Sequence, residues 1–375
     1  MHVNMHKLFE TFLHAHALQP EASVVFSLAT PAHLGEYLAD LDPEMKLDWS
    51  DQSFQGMPSL REKVVARMGY APACSADNVL ITAGTNEANF LAITQLVEAG
   101  DEMIVDVPGW PQPLALGAAI GAVVKELPRY EEKGWQFEVD ELAGLITDKT
   151  KLIYLCNPNN PTGHVLDEDT LKAVVALADR VGAYVLCDEV YRGLEWHGAE
   201  TPRVANLYER GISTGSISKI FGMQGLRTGW MVCRDPNVIL EAMVLRENTS
   251  EIMNVMGEAI ADIVLREDRF APKVAQVRAA EAQNIALLDQ FIAEMPMLAW
   301  HRPQAGLIGF CRIDLPIDAD TFAKRLLDPP YRTFVMSGNV YNYPQHIRLG
   351  VGGGAAAGLD VGLARMKELL YSIAA

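Results

Sequence analysis

Between residues 79 and 233, short β-rich apolar runs alternate with amphipathic stretches and turn signals, and few folds but a parallel sheet covered by helices accommodate that alternation. The runs fall at 79–82, 103–107, 122–124, 152–155, 183–187, 212–214 and 231–233. Residues 168–182 carry Leu171, Val174, Val175, Ala178 and Val181 at helical spacing, with acidic residues at the start and Gly182 as a stop. Residues 85–100 read the same way, and Asn86 and Glu87 sit in the first turn, where they complement the helix dipole. That helix N-terminus is suited to hold an anion.

Beyond about residue 240 the pattern changes to long Ala-, Glu- and Leu-rich helical stretches, then a strand pair near 307–313 and 346–350, then a last helix near 359–373. The first ~50 residues lack strand alternation and are expected to pack beside this C-terminal part. The expected fold class is therefore α/β. A large domain (50–240) holds a seven-stranded, mostly parallel sheet sandwiched by helices, and a smaller α/β domain is formed by 1–49 and 241–375.

Charge and cysteine usage narrow the partners. The chain of 375 residues has 31 Lys and Arg against 48 Asp and Glu, a formal charge of −17 that repels phosphate backbones and anionic lipid surfaces. Neither a nucleic acid nor a membrane is expected as a partner. The five cysteines, Cys74, Cys156, Cys187, Cys233 and Cys311, lie singly in apolar stretches with no CxxC pair and no metal-ligand spacing, so no metal is expected and a reducing, cytoplasmic setting is. No stretch reaches the ~20 uncharged residues of a bilayer span.

Four polar clusters stand directly after expected strands, the edge where open α/β sheets bind ligands. They are Ala83-Gly84-Thr85, the run 157–163, Asp188-Glu189-Val190-Tyr191 and Ser216-Ile217-Ser218-Lys219. Asp188 ends an apolar strand, so its carboxylate needs a cationic or hydrogen-bonding partner. No GxGxxG follows the first strand, which argues against a dinucleotide fold.

The stretch SISKIFGMQGLRTG at 216–229, with NPNNPTG at 157–163 and DEVY at 188–191, resembles in order and spacing the class I/II aminotransferases, pyridoxal-phosphate enzymes of fold type I. The resemblance covers about residues 50 to 350. It implies a pyridoxal-phosphate-dependent aminotransferase that moves an amino group between an amino acid and a 2-oxo acid. Lys219 would form the Schiff base and carry the Cα proton, a task for an amine of lowered pKa. By the same resemblance, Asp188 would hold the ring nitrogen protonated. Asn160 and Tyr191 would bond the phenolic oxygen, and Trp110 would stack on the ring. Gly84, Thr85, Ser216, Ser218 and Arg227 would hold the phosphate, and Arg348, with Asn160, the substrate carboxylate. A homodimer, each site completed by the partner chain, is implied as well.

The pattern also departs from the family. Ala83 stands where many relatives place a hydroxyl residue, and Thr228 where an aliphatic residue usually follows the arginine. Asp51 occupies the offset of the tyrosine that many relatives send to the neighbouring subunit's phosphate, and Ser27-Leu28-Ala29-Thr30-Pro31 replaces a glycine-containing substrate loop. The layout of Leu34-Gly35-Glu36-Tyr37 and 56–61 is similar to the capreomycidine-synthase branch, which leaves elimination, replacement or cyclisation open as the alternative reaction. A cofactor-binding regulator would call for a basic recognition helix, which neither the first 50 residues nor the acidic balance offers. Trp49, Phe54, Arg192, Arg246 and Asn248 are further candidates to line the pocket.

Overall fold

All seven apolar runs become strands of one sheet in the computed structural model, which describes residues 2–48, 53–196, 200–352 and 358–374. The expectations placed on Trp49, Asp51 and residues 353–354 lie outside the described residues. In chain order the strands are β1 (Val79–Thr82), β2 (Glu102–Val107), β3 (Val123–Pro128), β4 (Thr150–Cys156), β5 (Tyr184–Asp188), β6 (Gly211–Ser216) and β7 (Gly229–Cys233). They lie side by side as β1-β7-β6-β5-β4-β2-β3. β7 runs antiparallel to the other six.

The two-residue period of a strand explains why these runs are largely apolar on both faces. Met103, Val105, Leu152, Tyr154 and Leu186 face one side, packed with Leu91 and Ala92 of the helix Thr85–Leu96. Ile104, Ile153, Leu155, Val185 and Cys187 face the other, packed with Leu171, Val174 and Ala178 of the helix Glu168–Asp179. With both faces covered, there is no solvent side to mark with polar residues. The exception is β3, which extends to Pro128 rather than stopping at 124. It is an edge strand with one neighbour, so Lys125 and Glu126 are tolerated, and Lys125 pairs with Glu102 of β2 at 2.7 Å.

A second sheet is built after residue 297 from β8 (Leu298–Trp300), β9 (Ile308–Ile313), β10 (Met336–Ser337) and β11 (His346–Gly350), in the order β10-β11-β9-β8. The expected pair, β9 and β11, is antiparallel, with Phe310 opposite Arg348. The N-terminal segment threads past it. Ala22–Ser23 pairs with Thr333–Phe334, the Gly350 and Gly352 amides donate to the carbonyls of Val24 and Phe26, and the Ala29 amide donates to the carbonyl of Lys219. A Cβ on Gly352 would meet the Leu28 carbonyl oxygen at 1.9 Å, so glycine is what lets the two backbones close up.

Candidate active site

Strand direction gathers the polar clusters. The parallel strands β1, β2, β4, β5 and β6 end at one edge of the sheet, delivering Gly84-Thr85, Trp110, Asn160, Asp188 and Ser216 there. The antiparallel β7 begins at that edge, which places Arg227, two residues before it, beside the others. A cleft opens at this edge. Thr85, Trp110, Asn160, Asp188, Tyr191, Ser216, Ser218, Lys219 and Arg227 line it, together with Asn86, Cys156, Val190 and Gln224. Arg348 and Gly84 are not part of that lining, but Arg348 donates to Asn160 and Gly84 directly precedes Thr85.

At one end the groups suit an anion. The buried Thr85 hydroxyl has no hydrogen-bond partner, the Ser216 and Ser218 side chains are close by, and the N-terminus of the helix Thr85–Leu96 faces the same space. Arg227, held at φ +50°, donates to the carbonyls of Gln224 at 3.2 Å and Ala83 at 3.1 Å. The Gly84 amide, expected in the anion cup, donates instead to the Thr82 carbonyl at 2.7 Å. What Gly84 supplies is room: at φ +83° a Cβ would lie 2.5 Å from an Arg227 nitrogen.

At the other end, Asp188 Oδ2 accepts from Asn89 Nδ2 at 2.9 Å and from the Tyr154 hydroxyl at 3.4 Å, and Oδ1 accepts from the Val190 amide at 3.1 Å. Burial pushes the carboxyl above its usual range, and these bonds together with the nearby Lys219 ammonium pull it back only in part. A cation beside it completes the balance.

Between the two ends stands Lys219. Its Nζ lies 3.4 Å from Ser27 Oγ and 5.7 Å from the centre of the Tyr191 ring. Burial, and then the Arg348 and Arg227 guanidiniums, lower the amine from 10.5 to about 8, against the opposing pull of Asp188. The Tyr191 hydroxyl donates to Ser27 Oγ at 3.1 Å. Arg348, buried on β11, donates to the Tyr341 hydroxyl at 3.1 Å, to Asn160 Oδ1 at 3.4 Å and to the Val25 carbonyl at 3.2 Å, while its Nε is unpartnered. A fork held on three sides is ready for a bidentate acid.

This donor set fits pyridoxal phosphate: hydroxyls, a helix terminus and an arginine for a phosphate, a buried carboxylate for a cationic ring nitrogen, and a partly neutral amine for an aldehyde. Of the further pocket candidates, the described ones lie elsewhere. Arg192 is buried against Glu189 at 3.5 Å and over the Tyr70 ring, because that fully enclosed carboxylate requires a cation. Arg246 is spent on the carbonyls of Ile81 and Phe54. Phe54 and Asn248 are exposed and away from the cleft.

Asn89, Tyr154 and Tyr341 escaped the reading of the sequence, and Ser27 entered it only as part of the segment that stands in place of a substrate loop. Only Asn89 left a local signal, an amide side chain four residues after Thr85 on a helix face otherwise filled by Ala88, Leu91 and Ala92.

Comparison with known proteins bears on the family and the fold. The model of the family "Aminotransferase class I and II" matches residues 51–366. An aspartate aminotransferase of Musicola paradisiaca is 26% identical over 325 residues, covering 83% of this chain and 80% of its own. An arginine–pyruvate transaminase of Pseudomonas aeruginosa is 29% identical over 308 residues, covering 79% and 76%. The crystal structure of a PLP-dependent aminotransferase from Streptococcus suis superposes with a TM-score of 0.91 at 27% identity, covering 100% of this chain and 99% of its own.

Proposed function

Since the chain belongs to the class I and II aminotransferase family, we propose that Lys219 is the residue through which it carries pyridoxal phosphate and moves the substrate proton. The enzyme is a pyridoxal-phosphate-dependent aminotransferase that passes an amino group between an amino acid and a 2-oxo acid. When bound, the cofactor supplies an aldehyde that condenses with amines and a ring that accepts the electron pair left when the Cα proton departs.

The chain's own groups divide the remaining work. Thr85, Ser216, Ser218, Arg227 and the N-terminus of the helix Thr85–Leu96 hold the phosphate. Asp188 keeps the ring nitrogen protonated. Trp110 covers the ring face, and Tyr191 and Asn160 bond its phenolic oxygen. Arg348 and Asn160 bind the substrate carboxylate, which fixes the Cα proton toward Lys219, and the Lys219 amine takes that proton and later returns it. The observation that carries this reading is a buried amine, lowered to about 8, standing between a buried carboxylate and a cup of hydroxyls, a helix N-terminus and an arginine.

Two experiments test it. Borohydride added with pyridoxal phosphate should place the cofactor's mass on the Lys219 peptide, and a screen of amino donors should yield 2-oxo acids only in step with consumption of a 2-oxo acid acceptor. Product formed without an acceptor would refute transamination. Arg348→Lys should raise KM for the amino acid about a hundredfold with a smaller change in kcat, because a single ammonium cannot form the paired bonds of a guanidinium. An unchanged KM would remove Arg348 from carboxylate binding.

The same reading makes the enzyme a cytoplasmic homodimer. Exposed apolar residues support the dimer: Leu34, Leu38, Leu47 and Phe54 near the N-terminus, and Leu240 and Val244 on the helix Pro236–Arg246. Five free, buried cysteines support a reducing compartment, and no described helix is long and apolar enough to cross a membrane. Sedimentation velocity should give twice the chain mass of 41.2 kDa; an active species of single mass would contradict the dimer.

A further inference from the structure

Asn89 is wholly buried on the inner face of the helix Thr85–Leu96, where a carboxamide is costly unless both of its ends are bonded. Both are. The Thr214 hydroxyl donates to Asn89 Oδ1 at 2.9 Å, and Asn89 Nδ2 donates to Asp188 Oδ2 at 2.9 Å. Thr214 and Asp188 are themselves register partners on the neighbouring strands β6 and β5.

The direction of this relay is fixed by chemistry. With the amide turned over, Oδ1 would face the Asp188 carboxylate, acceptor against acceptor, and the Thr214 hydroxyl would be left with the Cys187 carbonyl at 3.5 Å. As built, Oδ2 of Asp188 receives two donors while Oδ1 receives one, the Val190 amide. Oδ1 therefore keeps the larger capacity for a further donor. Thr85 and Asn89, four residues apart, lie on one face of one helix, so a single rigid element serves both the anion cup and the carboxylate.

We propose that Asn89, oriented by Thr214, is a positioning residue that holds Asp188 ionised and aimed at the ring nitrogen of the bound cofactor. The proposal rests on the reading that Asp188 meets that nitrogen. A purely structural role, in which Asn89 only relieves a buried carboxylate so that the chain can fold, predicts something different and measurable.

The test is a binding cycle with the cofactor-stripped full-length protein, read by absorbance and fluorescence rather than turnover. Wild type and Asn89→Leu are each titrated with pyridoxal phosphate and with its 1-deaza analogue, which carries a CH in place of the ring nitrogen. Asn89→Leu is expected to lose roughly ten- to a hundredfold in affinity for pyridoxal phosphate, the scale of a hydrogen bond to a charged group, and to bind the analogue about as well as wild type does. Thr214→Val should show the same selectivity at smaller amplitude, and Thr214→Ser should restore wild-type binding. Because Thr214→Val nearly preserves volume, it decides the matter should Asn89→Leu fail to fold. Equal losses for both ligands, or no loss for either, would overturn the proposal. Wild-type protein that binds neither ligand would overturn the functional reading along with it.

Discussion

Lys219→Ala is expected to lower the turnover of any accepted amino acid by about ten-thousandfold or more, the upper range for removal of a positioned proton carrier. It should also abolish borohydride trapping of pyridoxal phosphate. In the wild-type protein the trapping rate should itself report the environment of the amine. Only the neutral amine is a nucleophile, so capture should rise with pH to a half-maximum near 8, far below the ordinary lysine value. Burial drives that lowering, aided by Arg348 and Arg227 and opposed by Asp188. Capture that still climbed above pH 10 would mean that the side chain is solvated, and variant protein that retained turnover would move the chemistry to another residue.

Asp188→Asn should cost roughly a hundred- to several-thousandfold in kcat, the range for breaking a buried charge pair by removing one partner. The substitution keeps shape while removing the charge that pairs with the ring nitrogen. It also replaces one carboxylate oxygen by an NH2, so either the Asn89 side chain or the Val190 amide loses its acceptor. Trapping at Lys219 should persist, since that step requires the amine and not the ring charge. Loss of kcat with trapping intact separates an electronic role for Asp188 from collapse of the site; an unchanged kcat would show that the carboxylate has no part in the reaction.

The fold was legible along the chain because it depends on local features, and most of the candidate site was legible through the motifs that carry the resemblance. A strand covered on both faces is largely apolar, and the polar clusters after such strands stand out against it, as Asp188 and Ser216 do. What escaped were groups supplied from far away in sequence. Ser27 reaches Lys219 and Tyr191 from a segment with no strand pattern, and Tyr341 meets Arg348 and Asn160 through a short turn of helix. Arg192 and Arg246 failed as pocket candidates for the converse reason: a cation's place depends on which buried carboxylate or carbonyl claims it.

Periodicity determined the seven strands and the flanking helices, since each is set by residues near one another in the chain, and the candidate lysine, aspartate and arginines were singled out by the motifs that resemble the family. Only the tertiary structure decided that Gly84 gives space rather than an amide, that Asn89 and Thr214 stand behind Asp188, and that the N-terminal strap brings a hydroxyl to the amine. Those outcomes follow from strand order, register and helix rotation, which join residues up to 192 positions apart. Such distances are fixed by packing, and no local pattern encodes them.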